Sequence, residues 1–113
     1  MRKNFGAKPY LYPQPVLIIA AYDEIALGMI FELKRNGIRI PDDLSVVGID
    51  DIPYASYSQP PLTTVRLYGE ERYGMIVDML YDKIYGDCDT IQHIAAETKL
   101  IIRESAAPPG KEF

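Results

Sequence analysis

The chain has one cysteine, Cys88, among 113 residues, so no disulfide forms within it. Cys88 stands between acids in Gly86-Asp87-Cys88-Asp89-Thr90, which reads as a turn. Reactive thiolates need electropositive surroundings, so no chemical role is expected there. The usage suits a reducing cytoplasm. No apolar run approaches the roughly 20 residues of a membrane span. The run Val16 to Ala21 follows Pro9, Pro13 and Pro15 and is too short and too β-branched for a secretory leader. His93 is alone, with no serine or cysteine partner in a recognisable motif. There is no phosphate-cradling glycine loop and no zinc-ligand spacing. No catalytic residue, cofactor or metal is expected, and the chain reads as a non-enzyme. Basic residues are outnumbered, 12 against 16 acidic, for a net charge of -4. A free-standing nucleic-acid binder shows a basic face. Here only Arg2, Lys3 and Lys8 gather, so unaided DNA binding is not expected.

What is present is an ordinary globular composition, 48% hydrophobic and 25% charged, of a length for one modest domain. Residues 1–15 are proline-bearing and aperiodic, an irregular lead-in. Val16 to Ala21 suits a strand buried on both faces, as in a parallel sheet. A helix then begins near Asp23 or Glu24. Ala26, Met29, Ile30 and Leu33 recur at helical spacing, and Gly37 fits the left-handed position past its end. Pro41-Asp42-Asp43 is a turn. Leu44 to Ile49 is a second strand, completing a right-handed βαβ unit. Ile52 to Thr64 reads as a loop or crossover, and Thr63 to Leu67 has strand propensity. A second helix covers about 70–85, with Tyr73, Ile76, Val77, Leu80 and Ile84 in one apolar stripe. Lys99 to Arg103, carrying Leu100-Ile101-Ile102, reads as a final strand, and Ala106 to Phe113 as a polar, proline-bearing tail. The fold class is α/β.

Asp23 lies where a parallel strand ends and a helix starts. Ligands of open α/β sheets bind outside the carboxyl ends of strands, and a carboxylate there accepts hydrogen bonds from hydroxyl groups. The alternative is a helix cap. On the ligand reading, Asp23→Asn weakens binding and leaves stability nearly untouched, because asparagine caps about as well. Asp50 and Asp51 end the next strand. No base or ligand cluster accompanies them, so they read as turn formers. Tyr22, Tyr54 and Tyr57 can stack on a sugar ring, and Tyr54 and Tyr57 equally suit an interface between copies.

Four segments stand in order along the chain: Asp23-Glu24-Ile25-Ala26-Leu27-Gly28, Pro41 to Pro53, Pro60-Pro61-Leu62-Thr63-Thr64-Val65-Arg66, and Arg103-Glu104-Ser105-Ala106-Ala107-Pro108. Together they resemble lactose-repressor (LacI/GalR-type) transcription regulators. The resemblance implies an incomplete periplasmic-binding-protein-like fold. It implies an effector-binding and dimerisation unit over 16–108, with 16–59 from the C-terminal lobe and 60–103 a crossover plus part of the N-terminal lobe. Residues 109–113 would be a tail. It implies a small polar effector, sugar or nucleoside-like, contacted by Asp23 and Tyr22, and a homodimer using Tyr54 and Tyr57. DNA would be reached only through a helix-turn-helix outside these residues. A fragment of a periplasmic sugar-binding transport protein, or a truncated gene product, are the rival expectations. Two departures stand out. Tyr22 occupies a place where the family has a small polar residue, and Gly74 comes later than the family's glycine after Glu70-Glu71.

Overall fold

The computed structural model describes residues 16–67, 69–86 and 90–109. The expected lead-in, the Cys88 turn and the end of the tail lie outside the described residues.

Strand β1 (Leu17–Ile19) leads into helix α1 (Asp23–Arg35), and β2 (Ser45–Ile49) follows. A short 3-10 turn at Pro53–Ser56 precedes β3 (Thr63–Arg66), then come helix α2 (Glu70–Tyr85) and β4 (Lys99–Ile101). The four strands form one sheet in the order β1-β2-β3-β4. The first two pairings are parallel, with Ile18 beside Val46 and Gly48 beside Thr64. β4 returns antiparallel, with Leu100 beside Val65. The expected crossover near residue 60 lies in the loop between β2 and β3, two strands that pair in this sheet.

α1 ends as its sequence requires. Gly37 takes φ 78°. Its N–H donates to Lys34 O and the Ile38 N–H to Leu33 O, both at 3.0 Å. These are the paired bonds of a Schellman ending, which needs a left-handed residue at that place. The next turn is pinned by Arg39 and Asp43, which meet at 2.7 Å. Hydrogen bonds from the Arg39 side chain and backbone hold the Asp43 carboxyl down to about 2.

The core lies between the sheet and α1: Ala20, Ala26, Ile30, Val46, Ala55 and Leu62. Ala26, Val46 and Leu62 are fully buried. The segment after β4 stitches the sheet's lower end. Ser105 Oγ donates to Val46 O at 2.6 Å and accepts the Thr63 N–H at 2.8 Å. Ser45 Oγ accepts the Ala107 N–H at 3.1 Å.

The expected burial of both faces of the first strand does not hold. β1 is an edge strand, and Leu17 and Ile19 are exposed while Ala20 is buried. Its alternate side chains point to the sheet face that α1 does not cover. There Leu17, Val47, Ile102 and Pro108 line an open apolar hollow of about 420 Å³. On α2 no residue is buried, and Ile76, Val77, Leu80 and Ile84 are all exposed. No described helix is long and apolar enough to cross a membrane.

Candidate functional site

The carboxyl ends of β1, β2 and β3 bring together Tyr22, Asp23, Asp50, Asp51 and Arg66. Their side chains meet different fates, and burial decides which of them faces outward.

Asp23 is fully buried. Its Oδ1 accepts the Thr64 hydroxyl at 2.6 Å, and its Oδ2 accepts the Ile52 N–H at 2.9 Å. Thr64 Oγ1 in turn accepts the Asp51 N–H at 3.3 Å. One carboxylate thus joins the start of α1 to β3 and to the chain leaving β2. It is not the helix cap either: Tyr22 is the N-cap residue and makes no side-chain capping bond. Room for the carboxylate comes from Gly48, since a Cβ there would stand 2.2 Å from Asp23 Oδ1. Asp23 was the sequence's first candidate for ligand contact; the fold places it inside, with both oxygens engaged.

Asp51 is also held from within. Its side chain is 5% exposed. Oδ1 accepts from Arg103 Nη2 at 2.7 Å, and Oδ2 from Arg66 Nε at 2.8 Å and Nη2 at 2.5 Å. Burial pushes its carboxyl up, but the hydrogen bonds from Arg103 and Arg66 outweigh this and hold it below the usual carboxylate range. Arg103 also donates to Leu62 O at 2.9 Å.

Asp50 and Tyr22 face outward. Tyr22 is 56% exposed. Asp50 is exposed, and its N–H donates to Val65 O at 2.8 Å. Its φ is 120°, and that of Asp51 is 58°. Two successive non-glycine residues with positive φ are costly and persist only where the surroundings hold them, which is commonest at functional sites. The holding groups are Asp23, through Ile52 and Thr64, and the arginine pair on Asp51. The sequence reading gave Asp50 a turn role only. The available signal was an Asp-Asp pair at a parallel strand's carboxyl end, beside Gly48.

Tyr54 and Tyr57 lie away from this end. They meet edge to face at 6.0 Å between ring centroids and are 57% and 64% exposed. Tyr54 borders a hollow of about 500 Å³ on α1 with Phe31 and Lys34. They form a surface patch rather than a wall of the strand-end site. Among the described residues, no three His, Cys, Asp or Glu side chains gather to hold a metal.

The family model of the periplasmic binding protein-like domain matches residues 2–106. The lactose operon repressor of Rhizobium radiobacter is 38% identical over 97 residues, covering 86% of this chain and 85% of that protein. This chain belongs to the lactose-repressor-type family. Among solved structures, a LacI-type transcription regulator of Bifidobacterium animalis subsp. lactis superposes with a TM-score of 0.74 at 36% identity, over 83% of this chain and 34% of that one. The complex of the transcriptional regulator CelR with cellobiose gives a TM-score of 0.73 at 33% identity, over 80% and 28%. Other curated relatives are repressors of which this chain spans only 22% to 28%. The α/β architecture with its mixed sheet is the LacI-type fold in part.

Proposed function

We propose that this chain is part of the effector-sensing and dimerisation core of a LacI-type regulator. Its effector is a small hydroxylated molecule, with a sugar the leading class. The observation that carries this reading is the exposure of Tyr22 and Asp50 at the carboxyl ends of adjacent parallel strands, where open α/β sheets bind ligands. Asp50 accepts hydroxyl hydrogen bonds and Tyr22 offers a ring face. Asp23 and Asp51 fix the backbone that presents them. The cellobiose bound by CelR supports the sugar class. Tyr54, Tyr57 and the exposed side of α1 form the face for a second copy. The α2 stripe and the open sheet face are surfaces that further family structure covers. Regulation is a population shift, in which effector favours one lobe arrangement and resets the spacing of paired DNA-binding heads carried outside these residues.

The test is an NMR titration of the chain with cellobiose and glucose at millimolar concentration. The reading expects saturable shifts of the Tyr22, Asp50 and Ile52 amides, abolished by Asp50→Asn. Shifts absent there, or unchanged in Asp50→Asn, remove the strand-end site.

A further inference from the structure

The chain enters α2 from β3 and returns from it through β4. Arg66 ends β3, Arg103 stands two residues past β4, and both close on the one carboxylate of Asp51. Arg103 is also fixed to the start of β3. Its N–H donates to Thr63 Oγ1 at 2.9 Å and its Nη1 to Leu62 O at 2.9 Å. Its side chain is 18% exposed, less than half the exposure of Arg66, so water screens its pair less. A planar guanidinium forks onto two acceptors in a geometry that lysine does not reproduce. The gripped residue has φ 58°, and its neighbour Asp50 has φ 120°. Aspartate and asparagine tolerate the first value, whereas side-chain-bearing residues rarely adopt the second. The Asp50 N–H is bonded to Val65 O, so this residue is held between β3 on one side and Asp51 on the other. A strained conformation persists only while its surroundings over-determine it. Here those surroundings include the two strands that lead to and from α2.

We propose that Asp51 is a positioning residue that couples Asp50 to the β3–β4 pair through Arg66 and Arg103. With both arginines closed on Asp51, the Asp50 backbone is held at positive φ and its carboxylate is presented outward. With the grip withdrawn, Asp50 relaxes to negative φ and the hydroxyl acceptor is displaced. Coupling of this kind is reciprocal. An effector hydroxyl on Asp50 therefore tightens the arginine grip, and a movement that draws the ends of β3 and β4 away from Asp51 releases the effector. The role in effector sensing rests on the strand-end reading; the control of the Asp50 backbone does not.

The experiment compares the full 113-residue chain with Asp51→Asn and Arg103→Lys by NMR cross-correlated relaxation, which reads the sign of φ. Asparagine keeps the tolerance for φ 58° at position 51, and lysine keeps the charge at 103, so each variant removes the grip alone. The proposal expects positive φ at Asp50 in the parent and negative φ in both variants, with the amide spectra of α1 and β2 unchanged. A role in stability alone leaves the sign of φ as it is in the folded variants. Arg39→Lys, in the turn between α1 and β2, should change nothing. If Asp51→Asn fails to fold, Arg103→Lys carries the test. Cellobiose is then titrated into the parent and Arg103→Lys. The Arg103 Nε–H resonance of the parent should move with the same midpoint as the Asp50 amide, and Arg103→Lys should bind about tenfold more weakly. Positive φ at Asp50 in folded Arg103→Lys overturns the proposal, as does an Arg103 resonance that stays still while cellobiose shifts the Asp50 amide. Cellobiose that moves neither Tyr22 nor Asp50 removes the strand-end reading and the sensing role with it, and the sign of φ still decides the control of the Asp50 backbone.

Discussion

Helices α1 and α2 carry similar amphipathic patterns, yet among the described residues only α1 finds cover. α1 buries Asp23, Ala26 and Ile30 against the sheet, whereas α2 buries nothing. Periodicity states that a helix has an apolar face. It does not state that the covering surface lies within reach. α1 is flanked by β1 and β2, which pair with each other and leave it no other place to pack. α2 follows β3 out of the sheet, and the chain returns through 90–98, all exposed, before β4. The difference divides the described residues into a sheet unit with its own core and a helix whose apolar stripe they leave uncovered.

Substitutions in the two regions break or sharpen this contrast. The largest effect is expected at Leu62, fully buried beside Ala55 and Val46. Leu62→Ala should cost about 2–5 kcal/mol by transfer and cavity terms, read as a lowered urea midpoint.

Next come the paired residues Asp23 and Gly48. Asp23→Asn should destabilise by about 1–3 kcal/mol, because one of its two acceptor positions becomes a donor facing Thr64 or Ile52. Gly48→Ala should cost about the same through overpacking against the Asp23 carboxylate. Their effects should be non-additive in a double-mutant cycle, since both disturb one contact.

Asp51 should give a smaller, pH-dependent effect. Its folded carboxyl is held below its ordinary value. The stabilisation is therefore complete above the unfolded value near about 3.9 and is lost as pH falls through the folded value. Asp51→Asn should remove that part of the acid limb, measured by urea unfolding between about pH 5 and pH 2. Arg66 is 46% exposed, so water screens its share of the pair.

The smallest effect is expected on α2. Leu80 is 59% exposed, and Leu80→Ala should shift stability by no more than about 0.5 kcal/mol. A loss comparable to that of Leu62→Ala would place α2 in the same cooperative unit as the sheet.

The elements themselves were legible. Val16 to Ala21, Asp23 to Gly37 and Leu44 to Ile49 punctuate themselves with proline, glycine and acids at strand ends, and the observed elements fall within these limits. What stayed hidden depends on residues far apart in the chain. Asp23 sits at a strand end and resembles a ligand acceptor. Its burial is set by Thr64 and Ile52, which lie 41 and 29 residues away. Gly48 was the local clue, because glycine inside a strand marks a close approach. The exposure of Leu17 and Ile19 was equally hidden, since a continuous apolar run signals two buried faces only when both have cover. Asp50 could be placed at the strand end from sequence, but its positive φ follows from the bonds that grip Asp51 and Ile52.

Residue-resolved hydrogen exchange of the full chain, at a dilution where it sediments as a monomer, tests the division most directly. Protection reports the free energy of local opening. Amides of α1, β2 and β3 should share one high protection level set by unfolding of the sheet unit. Amides of α2 should exchange close to their unprotected rates, because none of the described residues buries its stripe. Protection of α2 equal to that of β2 would contradict the account and show that the helix has its cover within these 113 residues.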